Sequence, residues 1–159
     1  MQIRIRSTGA VVSEQGFRAM PPNISMPQQL TEATLNDFGA DVVFEGPQAT
    51  GGTVYQYSQR DGVEQVDGKW YTKYILGPVF VDTEDATAAE NEAAYKAMKD
   101  AEQAASVRAD RTKRLADSDW TQLSDAPVTG PAWATHRQAL RDITNQAGFP
   151  WTITWPDAP

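Results

Sequence analysis

The chain of 159 residues contains no cysteine. Disulfides, thiolate nucleophiles and cysteine-based zinc sites are excluded together, which fits a reducing compartment. A single histidine, His136, leaves no imidazole pair for a transition metal and no HExxH motif. No apolar run approaches the length of a membrane span. The N-terminal "MQIRIRSTGAVV" alternates Ile3 and Ile5 with polar residues instead of building a continuous apolar stretch, so no signal peptide is expected. Basic clusters are also lacking. Acids outnumber bases 21 to 14, and the first 80 residues hold eight acids and six bases. Binding to a phosphate backbone needs clustered Lys and Arg, so neither nucleic acid nor membrane is expected as a partner.

What is present suffices for a core. The chain is 40% hydrophobic and 22% charged, the ordinary balance of a globular protein. Composition divides it into three. Residues 1–80 are rich in Gly, Pro, Tyr and β-branched residues and read as a small β-rich domain. Ile3 and Ile5 mark a half-buried strand, "GAVVSEQGFRAM" (9–20) has room for another, and "PPNISMP" (21–27) reads as extended loop. Thr31 is placed to cap a short helix with Leu30 and Leu35 as its hydrophobic staple. Gly39 stops that helix before a strand at Val42–Phe44. Asp-Gly pairs at 61–62 and 67–68 are turn signals, and the last strand sets Trp70, Thr72, Tyr74 and Leu76 on one face.

Residues 81–117 lack proline and glycine and are rich in alanine, the pattern of one long helix of roughly 50 Å. Asp82, Thr83, Glu84 and Asp85 are expected to cap it, with Lys113 and Arg114 at the end the dipole prefers. Ala94, Met98, Ala101 and Ala105 continue at heptad spacing into Arg108, Thr112 and Leu115. Such small or polar occupants suit either a homo-oligomeric helix contact or a solvated spacer between end domains.

Residues 118–159 form the third part. Trp120 and Leu123 are expected to anchor a loop, and a helix is predicted over 131–147 between Pro131 and Gly148. On that helix Trp133, His136, Leu140 and Ile143 share a face, flanked by Arg137 and Arg141, and Arg137 can lie over an indole or pair with a carboxylate. The chain ends in "GFPWTITWPDAP" (148–159), whose prolines mark a short edge strand or an extended strap. Trp, Tyr and Arg dominate binding hot spots. Trp120, Trp133, Arg137, Arg141, Phe149, Trp151 and Trp155 are therefore the candidate partner-binding set, with a domain core as the alternative use of the same rings.

Catalytic signatures are missing. "GPQATGG" lacks the Lys-Ser/Thr of a phosphate-binding loop, no GxSxG elbow occurs, and His136 on an apolar helix face reads as structural. The Asn-Ile-Ser at 23–25 matches a glycosylation acceptor, which carries meaning only in a secreted chain. No enzyme activity, catalytic residue, metal or cofactor is expected.

The stretch "LADSDWTQLSDAPVTGPAWATHRQALRDITNQAGFPWTITWP" carries the Ser-Asp-Trp-Thr loop (118–121), Trp133, "RQALRDI" (137–143), "GFPW" (148–151) and a closing Trp-Pro (155–156). It resembles the tail assembly chaperone domain of tailed bacteriophages. "QLTEATLNDFGADVV" followed by "VDGKWYTKYIL" is similar to the N-terminal part of such phage proteins. The resemblance implies an elongated α+β protein acting on a phage tail-fibre or baseplate protein in the host bacterial cytoplasm. It leaves open whether the chain is a chaperone or a permanent virion component of fibre or baseplate. A glycan-binding or glycan-hydrolysing protein at the fibre tip is the alternative from another class, resting on carboxylate pairs such as Asp82 with Glu84 and Asp85.

Overall fold

The computed structural model describes residues 1–20 and 25–159, so the loop reading of 21–27 and the tripeptide at 23–25 lie partly outside the described residues. The fold is α+β, with two compact units, Met1–Val79 and Phe80–Pro159.

The first unit is a sheet of five strands, β1 (Gln2–Ile5), β2 (Val11–Ser13), β3 (Ala40–Phe44), β4 (Tyr57–Val66) and β5 (Lys69–Gly77), in the order β2-β1-β3-β5-β4. All pairs are antiparallel except β3 with β5. Ile3, opposite Val12 and Val42, points to the core face, where Phe17, Leu30, Leu35 and Ala40 close over it. Leu35 lies on α2 (Glu32–Asp37), and the expected cap is in place: Thr31 Oγ1 accepts the Thr34 N–H at 3.2 Å. Leu30 and Leu35 are both buried as a staple requires, and Gly39 leaves the helix at φ +67°. A second helix, α1 (Glu14–Ala19), was not legible. Ser13 caps it by accepting the Gly16 N–H at 3.0 Å, and Arg18 ties it to the chain ahead of α2 by donating to Pro27 O and Gln28 O, both at 2.8 Å.

The two Asp-Gly pairs separate in role. Asp67 and Gly68, both at positive φ, turn β4 into β5. Asp61-Gly62, expected as a second turn, instead sits inside β4, where the register shifts between Arg60 and Val63 and Gly62 takes φ +80°. A glycine that relieves a bulge and a glycine that makes a turn leave the same dipeptide in sequence. Beyond β3 the chain crosses the sheet so closely that a Cβ on Gly46 would stand 2.0 Å from the Thr72 carbonyl oxygen. Thr72, 2% exposed, accepts the Gly46 N–H through Oγ1, and Glu45 takes the Tyr74 hydroxyl proton bond at 2.5 Å.

In the second unit, α3 (Ala88–Asp117) is followed by a 3₁₀ turn (Asp119–Gln122), α4 (Gly130–Arg141) and a second 3₁₀ turn (Asp142–Asn145). The helix expected over 131–147 thus tightens at Asp142 and ends early. The N-cap of α3 is Thr87, not the acidic run before it. Thr87 Oγ1 accepts the Glu90 N–H at 3.3 Å, and Glu90 Oε2 accepts the Thr87 N–H at 2.8 Å. This reciprocal box satisfies two orphan donors with local side chains, so the cap falls where Thr and Glu stand three apart. Of the acidic run, Asp82 contributes by accepting the Ala88 N–H at 2.7 Å.

Two outcomes follow for the folded chain. Replacing Gly46 by alanine should displace the 45–56 crossing and lower the urea midpoint of the first unit, while Leu35→Ala should cost about 2–5 kcal/mol in the same measurement. The Thr87 backbone N–H, and then its hydroxyl, hold the Glu90 carboxyl below the ordinary glutamate range. The support from Glu90 is therefore complete above the ordinary value and is lost as pH falls through the lowered one. An NMR pH titration should show the Thr87 amide resonance following Glu90 at that lower pH, and Glu90→Gln should abolish the step.

Candidate functional site

The candidate partner-binding residues all lie in the second unit, and its buried apolar side chains are few: Ala104 and Val107 on α3, Leu140 on α4 and Ile143 just beyond. Around this small core the polar contacts are unusually directed. Arg137, one turn before Leu140, is only 7% exposed. Its Nη1 donates to Leu115 O and to Ser118 Oγ, both at 2.7 Å, and its Nη2 donates to Asp119 Oδ1 at 2.6 Å. Leu115 O is one of the last carbonyls of α3, which have no partner within the helix. Leu115 O also accepts the Ser118 N–H at 3.2 Å, and the guanidinium adds a second, charged donor at the negative end of the helix dipole. Ser118 Oγ turns its own proton back to Arg114 O at 2.9 Å, with Leu115 O at 3.0 Å, completing the cap.

This corrects one candidate. Arg137 was expected on a partner-facing flank, but it is taken up inside its own unit. The carboxylate pairing open to it in sequence is realised with Asp119, and no stacking on Trp133 is formed. Arg141, one turn on, is exposed.

The chain end is a strap and not a strand. No ladder pairs it; one side-chain amide does so instead. Gln146 Nε2 donates to Thr154 O at 2.8 Å and its Oε1 accepts the Thr154 N–H at 2.7 Å, the two bonds a neighbouring peptide would make. Gly148 permits the tight return before it, since a Cβ there would stand 2.0 Å from Thr152 O. The Phe149–Pro150 peptide in this return is cis. Three aromatic rings of this segment then meet three polar residues of α3. Trp151 Nε1 donates to Asp100 Oδ1 at 2.5 Å, the Arg108 guanidinium lies 5.4 Å from the Phe149 ring, and that of Arg114 lies 4.3 Å from Trp155. Trp151 and Trp155 are half-buried by this arrangement. Asp100, Arg108, Arg114 and Gln146 were missed as site residues because each has an ordinary exposed-helix or loop explanation. No local signal marks the three α3 residues, whose partners are 40 or more positions away.

Trp120 and Leu123, expected as loop anchors, are 47% and 63% exposed. The turn is anchored by its polar residues instead: Ser118 and Thr121 are buried, and Thr121 Oγ1 donates to Ser118 O at 2.7 Å. The Trp120 ring leans on Trp133 with centroids 6.0 Å apart, and Trp133 meets the edge of His136 at 5.5 Å. A cleft of about 220 Å³ opens beside them, lined by Arg114, Asp117, Ser118, Trp133, His136 and, from the strap, Pro156 and Ala158. The helix seam of Ala94, Met98, Ala101 and Ala105 is exposed throughout, while α3 turns Ala104 and Val107 inward. Among the described residues no group of three or more His, Asp or Glu could hold a metal ion. No helix among them is long and apolar enough to cross a membrane.

The unit is thus a long helix clamped to a short one and bound by an aromatic strap, with indoles left at its surface. Residues 104–159 match the family model described as phage tail assembly chaperone protein. The match supports a role in phage tail assembly. The match begins at Ala104, the first buried residue of α3, and takes in the Arg137 clamp and the strap. Neither a curated protein nor a solved structure matches the chain.

The clamp makes a quantitative expectation. Arg137→Met keeps the length of the side chain but removes the bonds to Leu115 O, Ser118 Oγ and Asp119 Oδ1, and should destabilise the second unit by about 3 kcal/mol. Arg137→Lys should recover only part of it, because an ammonium cannot span three acceptors as the planar fork does. Chemical denaturation followed by fluorescence of the C-terminal tryptophans measures both.

Proposed function

We propose that the chain is a non-enzymatic binding protein that assists assembly of a phage tail by holding a tail-fibre or baseplate subunit in the host cytoplasm. The observation that carries this reading is the family match over residues 104–159, which coincides with the clamped and strapped part of the second unit. Its chemistry is that of a contact surface. Surface indoles beside a shallow cleft recognise by burial and charge, and a turn pinned by Arg137 presents them at low ordering cost.

The test is at the level of the particle. Phage lacking this chain should yield particles with absent or misassembled tails or fibres, seen by electron microscopy. Quantitative mass spectrometry of purified wild-type virions should find the chain absent or far below the copy number of the fibre protein. A stoichiometric copy number would replace the transient role with that of a permanent structural subunit. Normal tails in the deletion phage would overturn the assembly role itself.

A further inference from the structure

The turn between α3 and α4 is inside out. It buries Ser118 and Thr121, at 4% and 3% exposure, and holds Trp120 and Leu123 at 47% and 63%. Looseness does not explain this. The turn is pinned from below by Arg137 through Ser118 and Asp119, and from within by the Thr121 hydroxyl on Ser118 O. Full burial of either apolar chain would be worth about 1.5–3 kcal/mol. A free monomer gains nothing from a rigid turn that keeps both in water.

Within the turn itself the charges are of one sign. Between Arg114 and Arg137 there is no Lys or Arg, while Asp117, Asp119 and Asp125 fall in that interval and all three are exposed. Asp119 gives one oxygen to Arg137; Asp117 and Asp125 have no ion pair among the described residues. Asp117 also lines the cleft that continues from Trp133 and His136. Arg114, which also lines the cleft, is already engaged: it lies over Trp155 and bonds Asp110 at 3.3 Å. An aromatic face beside unpaired carboxylates is the chemistry that receives a Lys or Arg side chain, the ring through cation–π attraction and the acids through charge. A cleft of about 220 Å³ admits a side chain or two, which suits an extended segment and not a helix.

We propose that Trp120, Leu123 and Trp133, with Asp117 and Asp125 at the rim, form the docking surface for an extended segment of a partner protein in which basic and apolar residues alternate. This deepens the reading of the chain as a binding protein of tail assembly and rests on it. The experiment is a titration of the full chain, ¹⁵N-labelled, with blocked peptides of alternating Leu-Lys, Leu-Gln and Leu-Glu of equal length. The Leu-Lys peptide should shift the indole resonances of Trp120 and Trp133 and leave that of Trp70 in place, with an affinity that falls as salt rises. Trp120→Ala and Leu123→Ser should each weaken binding about tenfold with unchanged Tm, as losses of exposed contacts do. Asp117→Asn with Asp125→Asn should erase the preference for Lys over Gln. Equal binding of the Leu-Gln peptide, or retention of affinity in Trp120→Ala, would overturn the proposal. So would a dimer in sedimentation that Trp120→Ala disperses, because the occupant would then be a second copy. None of these readouts involves a phage particle, so a failed docking surface and a failed role in tail assembly give separate signatures.

Discussion

One guanidinium, that of Arg137, joins three pieces of the second unit that have little else in common. It reaches from α4 to the last carbonyls of α3, to the hydroxyl that caps α3, and to the acid that opens the following turn. Few apolar residues are buried around it, so hydrophobic burial alone would fix the crossing of α3 and α4 loosely. Directed bonds to fixed backbone acceptors supply the missing specificity. Burying a charge is costly unless its partners are arranged in advance, and a helix C-terminus offers such partners at no further expense to the fold. The geometry also explains why the position requires Arg: three acceptors between Leu115 and Asp119 lie within reach of one planar fork.

The strap depends on the same order. Its tryptophans and Phe149 meet α3 at Asp100, Arg108 and Arg114, three positions spread over four turns of one helix. A segment with no ladder of its own has to find its partners on a surface that is already straight and already placed. The Gln146 amide, standing in for a neighbouring strand at Thr154, fixes where the strap begins its run. Trp151 bonds the helix through its indole N–H, while Phe149 and Trp155 each lie against a guanidinium, which is how half-buried aromatics end a chain without a sheet.

Much of the first unit could be read from local pattern. Ile3 and Ile5, the Thr31 cap with its staple, Gly39 and the 67–68 turn each rest on interactions within a few residues, and each stands where the pattern placed it. The failures share a cause. Asp61-Gly62 looked like a turn because a bulge asks the same backbone freedom of glycine, and only the pairing of β4 with β5 tells them apart. The acidic run at 82–85 looked like a cap until the better box at Thr87 and Glu90 claimed the helix start. Long-range contacts were illegible in principle. Arg137 could be seen to need a carboxylate or an indole, but which one depends on a helix end 22 residues earlier. The aromatic concentration of the last 40 residues was plain, and the division of its rings between strap and surface was not.

That division follows from what each ring can reach. Trp151 and Trp155 come after a return that carries the chain back along α3, so their polar partners are on the helix and their faces are half covered. Trp120 sits in a turn whose inward positions are already claimed by Ser118, which meets the guanidinium, and by Thr121, whose hydroxyl bonds Ser118 O. The clamp therefore does more than hold two helices together. By drawing hydroxyls inward it turns the apolar residues of the same four-residue turn outward, and the stability of the unit and the exposure of its indole are consequences of one buried charge.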